Sequence, residues 1–220
     1  MPAANKDSPS PYEVPSKARL GKRIHAWMLG HCAARYERLV AERKRGLLSN
    51  LRGDILEIGP GAGPNLRYYS KDSHWIGVEP NPYMVPYLRK AAEQAGLKIE
   101  IRSGLAEDLP AEDASIDAVV GTLVLCSVSD PGRVLREILR VLKPGGRFLF
   151  LEHVAAPQGT RLRRVQRLIR PVWTRIADGC HPDRETGPAI KHAGFAEVEY
   201  EDFRLPLGPV ATQIAGSAVK

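Results

Sequence analysis

The stretch Asp54-Ile55-Leu56-Glu57-Ile58-Gly59-Pro60-Gly61-Ala62-Gly63 decides the fold. A short apolar run predicts a strand, and three glycines spaced by single residues predict a loop whose backbone approaches a ligand closely. A helix-compatible segment, Pro64 to Ser70, follows. A strand, a glycine loop and a helix in that order mark the ligand edge of a parallel sheet, outside the carboxyl end of its first strand. The dinucleotide spacing G-x-G-x-x-G fails, because its third glycine would fall at Pro64. No Gly-Lys-Ser/Thr follows, so the phosphate loop of nucleotide triphosphatases is excluded. The pattern present is acidic-x-G-x-G-x-G.

A second carboxylate supports a nucleoside ligand. Trp75-Ile76-Gly77-Val78-Glu79 reads as the next strand, and Glu79 at its end can accept both hydroxyls of a ribose. Glu57 stands within reach of an amine held by the glycine loop. A ligand with an amine, a ribose and no phosphate fits these residues.

Further along, strands alternate with helices. Pro82 to Ala95 reads as a helix stopped by Gly96, and Leu97 to Arg102 as a strand. A fourth strand centres on Asp117-Ala118-Val119-Val120. Asp130 caps a helix with Pro131 at its first position, continued by Arg133 to Leu142. Lys143-Pro144-Gly145-Gly146 is a turn, and Arg147 to His153 a fifth, largely apolar strand. Such alternation predicts a parallel sheet covered on both faces. Leu162 to Ile176 carries apolar residues at helical spacing with five arginines among them and Arg161 just before, and Pro171 is expected to break or kink it at Arg170. Asp183 to Ala193 reads as a helix with Asp183 at its N-cap. Phe195 to Phe203 and Thr212 to Val219 read as an antiparallel pair of edge strands.

The length of 220 residues fits one domain. Residues 1–18, with Pro2, Pro9, Pro11 and Pro15, read as a disordered arm, and 19–220 as a single domain. Within that domain, helices over 19–50 and the insertion 154–180 are expected to form a cap. No run of 18 apolar residues is present, and residues 1–15 hold no apolar signal core. Cys32, Cys126 and Cys180 form no C-x-x-C pair, which argues against a disulfide scaffold and against a metal site and fits the cytoplasm. The net charge of +7 is unevenly spread: residues 1–50 carry 10 basic against 4 acidic groups, and 154–180 carry 6 against 1. Without an RNP, zinc-finger or lysine-rich motif, this predicts solvated helix faces and no nucleic-acid partner. Peripheral contact with anionic membrane is the functional alternative for the arginine-rich insertion.

Three motifs together resemble class I S-adenosylmethionine-dependent methyltransferases: Leu56 to Gly63, Leu105-Ala106-Glu107-Asp108-Leu109-Pro110 and Leu142-Lys143-Pro144-Gly145-Gly146. The resemblance implies a seven-stranded, mostly parallel Rossmann-like α/β sheet with helices on both faces and an antiparallel last strand. It implies S-adenosylmethionine as cofactor. Gly59, Gly61 and Gly63, with Pro60 and Asn65 beside them, would pass under the methionine part; Glu79, flanked by Pro80 and Asn81, would bind the ribose. Leu105 and Ala106, with Glu107 next to them, would lie beside the adenine, although many relatives carry Asp where this chain has Leu105. Thr122 and Leu123, after the fourth strand, would border the methyl donor.

Thr122 to Val128, Glu152-His153-Val154-Ala155-Ala156, Asp178-Gly179-Cys180, Arg184-Glu185 and the terminal Ala218-Val219-Lys220 resemble, more narrowly, the methyltransferase-like 7 family of animal thiol S-methyltransferases. Those proteins begin with a hydrophobic anchor where this chain has its Pro-rich arm, so a cytoplasmic or peripheral relative is implied. The expected reaction is in-line methyl transfer to a small hydrophobic thiol. A thiolate is the nucleophile, and a free thiol has a pKa of about 8.5, so a nearby base or cation helps. His153, at the carboxyl end of the fifth strand, is the first candidate, and Asp178 the second. Trp27, Cys126, Trp173, Cys180 and Arg184, with His153, are expected around the acceptor. The alternatives are C-methylation of a quinone precursor, N-methylation of a phospholipid amine, or a cofactor-binding partner protein without turnover. No obligate protein partner is expected.

Overall fold

The structure, a computed structural model, describes residues 34–220. The arm over 1–18, the first part of the expected cap, and with them Trp27 and Cys32, lie outside the described residues.

Seven strands form one sheet: β1 (Asp54–Ile58), β2 (His74–Val78), β3 (Ile99–Arg102), β4 (Ile116–Thr122), β5 (Leu142–His153), β6 (Glu197–Arg204) and β7 (Thr212–Val219), in the order β3-β2-β1-β4-β5-β7-β6. The first five are parallel; β7 lies antiparallel between β5 and β6. The chain order reverses between β1 and β4, so the carboxyl ends of those two strands flank the switch point where a doubly wound sheet binds its ligand.

Alternation along β1 divides the core. Leu56 and Ile58 face one side with Val134, Leu135 and Ile138 of the helix α3 (Pro131–Val141). Ile55 faces the other with Trp75 and with Leu88 of α2 (Val85–Ala95). The start of α3 follows from sequence: Asp130 accepts the Arg133 N–H at 3.0 Å and Pro131 fills the first turn. Each fully buried Leu, Ile or Val on its inner face contributes about 1.5–3 kcal/mol. A third cluster seats α1 (Ala34–Leu48) through Val40 against Leu151, Ala215 and Leu205.

Several local expectations are corrected. The segment after the glycine loop is one 3-10 turn, Leu66–Tyr68, rather than a helix over 64–70. The turn at Lys143 to Gly146 is a bulge inside β5: pairing jumps from Leu142 opposite Ile116 to Arg147 opposite Ala118. Pro171 does not break its helix, since α4 runs from Arg161 to Ile176. Both halves of α4 are anchored. Gln166, fully buried, bonds Ala156 N, Val154 O and Pro209 O, and Trp173 bonds Cys180. Asp183 does not cap the next helix: α5 is Thr186–Lys191, and the Asp183 carboxylate meets Arg170 at 3.4 Å instead.

Candidate active site

The glycine loop leaves β1 with Gly59, Gly61 and Gly63 all at positive φ. Gly63 has no room for a side chain, since a Cβ there would lie 2.9 Å from Leu88. Gly61 faces open space instead, and its N–H donates to Glu79 at 2.9 Å. Glu79 also accepts the Asn81 N–H at 2.8 Å, so its carboxylate is set at the end of β2 by the loop itself. Asn81 in turn accepts the Tyr83 N–H, and Pro60 is buried beneath the loop against Gly77. Pro80 is half-buried beside Glu79.

Glu57 is buried below the loop. Its two oxygens accept from Asn65 Nδ2 at 2.7 Å, Tyr69 OH at 2.8 Å and Trp75 Nε1 at 3.2 Å. Burial raises its pKa, and these three donors oppose that rise. Glu57 therefore orients Asn65 rather than facing the ligand edge alone. Asn65 also donates to Thr122 Oγ1 at 3.0 Å, so its amide orientation is fixed by two acceptors. Its Oδ1 is buried with no partner among the described residues. An unsatisfied buried acceptor at the mouth of a glycine loop fits an ammonium group, as on S-adenosylmethionine. Across the site, Ala106 is buried, Leu105 is half-buried and bridges to Asp108, and Glu107 accepts the Ser129 N–H at 2.9 Å.

The second half of the site lies beyond β4 and β5. Leu123 adopts φ +58°, which a branched side chain resists. Its N–H is held by Leu151 O at 2.9 Å, and Glu152 accepts the next three N–H groups, from Val124, Leu125 and Cys126. Burial pushes the Glu152 pKa up to about 7 despite these bonds. The loop ends in Cys126, whose carbonyl accepts the His181 N–H at 2.8 Å. Arg184 holds the same loop from outside, donating to Leu125 O and Val128 O at 2.7 and 2.6 Å.

His153, the last residue of β5, places Nε2 2.9 Å from Cys180 Sγ. Trp173 Nε1 donates to the same sulfur at 3.1 Å. Ligand atoms of Cys126, His153 and Cys180 lie within 4.8 Å of one another, and all three residues are buried. The neighbouring Cys126 thiol, His153 and Trp173 stabilise a thiolate on Cys180 and lower its pKa against the effect of burial. Cys126 is pushed up, first by Cys180 and then by burial. Asp178 is exposed at φ +47°, in the turn that precedes Cys180.

All three are expected from sequence around the acceptor, but the sequence does not show that their donor atoms meet in one cluster. Cys126, His153 and Cys180 are 27 residues apart at each step, and only the order of β4, β5 and α4 brings them together. Tyr69 and Trp75, which anchor Glu57, were not singled out from sequence, because no spacing or motif ties their polar tips to Glu57.

The fold and the glycine-loop site define an S-adenosylmethionine-dependent methyltransferase. A family described as methyltransferase domain matches residues 56–150. Rat thiol S-methyltransferase TMT1B is 39% identical over 215 residues, covering 90% of this chain and 87% of the rat protein. Human thiol S-methyltransferase TMT1A is 38% identical over 200 residues, covering 84% and 81% of the two chains. The chain belongs to this family, the one its C-terminal motifs resemble. Among solved structures, the [4+2]-cyclase SpnF superposes with a TM-score of 0.63 at 24% identity, covering 84% of this chain and 80% of that one. An S-adenosylmethionine-dependent methyltransferase from Aquifex aeolicus superposes at 0.61 and 17% identity, covering 90% and 97%. These two likenesses concern the fold.

Proposed function

We propose that this methyltransferase acts on a small, hydrophobic thiol. The observation that carries the reading is the extent of similarity. Likeness to proteins named thiol S-methyltransferases runs over 90% of the chain, acceptor side included. Likeness to phosphatidylethanolamine N-methyltransferase of Cereibacter sphaeroides covers 49%, at 32% identity.

When bound, S-adenosylmethionine supplies an activated methyl group. The protein orients and excludes water. Asn65, aligned by Glu57 and Thr122, presents its free carbonyl oxygen to the amine; the Gly59 to Gly63 backbone, with Pro60, backs the methionine part. Glu79, steadied by Gly61 and Asn81, takes the ribose, with Pro80 alongside. Leu105, Ala106 and Glu107 flank the adenine, and Thr122 and Leu123 border the methyl group.

The acceptor sulfur is received beside His153, Cys126 and Cys180, where His153 promotes its ionisation. Trp173 closes the apolar wall. Arg184 fixes the Leu125 to Val128 loop, and Asp178 shapes the turn that presents Cys180. Production of S-adenosylhomocysteine and a methyl thioether from an alkyl thiol tests this reading; methylation of only a quinol or a lipid amine contradicts it.

We infer a cytoplasmic protein that makes peripheral contact with anionic lipid through α4. No helix among the described residues is long and apolar enough to cross a membrane. Val165, Leu168, Val172 and Ile176 are exposed along one stripe of α4. Arg161, Arg164, Arg167 and Arg175 are also exposed, and the helix contains no acidic residue. An apolar stripe rimmed by cations matches the headgroup boundary of an anionic bilayer.

A further inference from the structure

We propose that Cys126, His153 and Cys180 bind one zinc(II) ion, whose fourth position takes the sulfur of the acceptor. This deepens the thiol reading above and rests on it.

Two sulfurs and one imidazole are the donor set that zinc prefers, and three protein ligands with one open position characterise catalytic rather than structural sites. The donor atoms already lie within 4.8 Å of one another in a buried site. Tetrahedral zinc, with bonds of about 2.3 Å to sulfur and 2.0–2.1 Å to nitrogen, needs donors roughly 3.5–3.8 Å apart. The His153 to Cys180 contact, now 2.9 Å, must open by about 0.6 Å, within the reach of side-chain rotation.

The backbone under each ligand is fixed without help from the ion. Glu152 holds the N–H of Cys126, His181 holds its carbonyl, and Cys180 N bonds Ala177 O at 3.0 Å. Trp173 N–H on Cys180 Sγ is the outer hydrogen bond that orients a ligating thiolate. His153 has no such anchor among the described residues: Nε2 touches only Cys180, and Nδ1 is buried without a partner. An ion between ring and sulfurs supplies the missing constraint. The three ligands come from the ends of β4 and β5 and from beyond α4, on the same edge of the sheet as the glycine loop.

The chemistry balances without an oxidant or reductant. Zinc binding releases the thiol protons of Cys126 and Cys180 to water, and the acceptor thiol loses its own proton to water when it takes the fourth position, which leaves a zinc-held thiolate at neutral pH. A lone pair of that sulfur forms the new S–CH3 bond as the sulfonium C–S bond breaks. The breaking pair stays on the donor's sulfur, giving neutral S-adenosylhomocysteine. The thioether product carries no charge, is a weaker ligand, and leaves.

The test uses the full chain, kept reduced with a phosphine so that no competing thiol is present. Equilibrium dialysis against zinc(II) alone should give one equivalent per chain, and at least tenfold weaker binding in Cys180→Ala and His153→Ala. Retained S-adenosylmethionine binding in those variants shows that they fold. Cobalt(II) in place of zinc should give sulfur-to-metal charge-transfer bands that shift when an alkyl thiol is added without methyl donor. Failure of folded wild-type protein to take up zinc overturns the proposal, as does a cobalt spectrum indifferent to thiol. Undiminished thiol methylation after complete removal of zinc overturns the metal and leaves the thiol reading standing. Absence of thiol methylation with zinc bound overturns that reading, and the fourth-ligand role with it.

Discussion

Asn65 donates its amide to Glu57 across 2.7 Å, and its own carbonyl oxygen is left buried without a partner among the described residues. The pair converts a buried carboxylate into a fixed acceptor at the mouth of the glycine loop. Asn65→Ala removes that acceptor. Glu57→Gln sets an amide N–H₂ against donors from Asn65, Tyr69 or Trp75. Either change should weaken S-adenosylmethionine binding at least tenfold, about 1.4 kcal/mol, by titration calorimetry. Unchanged affinity in both would contradict the role given to the pair.

Glu152 replaces missing backbone partners for three consecutive N–H groups. Glu152→Ala leaves all three unsatisfied in a buried loop that already holds Leu123 at positive φ. The expected loss is about 3 kcal/mol in urea unfolding, against about 1 kcal/mol for Glu152→Gln, which keeps one acceptor. Equal effects of the two would show that the carboxylate does not organise this loop.

Glu137 accepts two bonds from Arg140, at 2.9 and 2.7 Å, and the Leu109 N–H at 2.9 Å, so it ties α3 to the loop expected beside the adenine. Its pKa is lowered, first by Arg140. A carboxylate with a depressed folded pKa stabilises the native state above its unfolded pKa of about 4.3, and that stability is lost as pH falls through the folded value. Urea midpoints should therefore fall with acidification below about pH 4.3 less steeply in Glu137→Gln than in the wild type. Identical slopes would remove Glu137 from the acid response.

The α4 stripe should act on lipid and not on folding. Leu168 is 81% exposed and Val172 62%. Leu168→Asp with Val172→Asp should leave the urea unfolding free energy within about 0.5 kcal/mol of wild type. Co-sedimentation with anionic vesicles should drop several-fold. Vesicle binding unaffected by both changes, or absent in the wild type at low salt, would exclude this face.

The central sheet was legible because its signals are local. A strand, three alternating glycines and Glu79 at the end of the next strand gave the expectation of a nucleoside site without any tertiary information. Elements decided by long-range contacts were less legible. Pro171 looked like a helix breaker, yet Gln166 and Trp173 clamp α4 on either side of it. Asp183 looked like a cap, and Arg170 takes it instead. The cysteine and histidine cluster had no spacing to announce it, because parallel strands adjacent in space are separated by whole helices in sequence.

The most direct test of the account is a single assay. Purified protein is given S-adenosylmethionine with a small alkyl thiol, and separately with a quinol precursor or phosphatidylethanolamine vesicles, and S-adenosylhomocysteine is measured alongside the methylated product. The account predicts methyl thioether and S-adenosylhomocysteine in equal amounts with the thiol, and none with the other acceptors. Product formed only with the quinol or the lipid would contradict the thiol as acceptor.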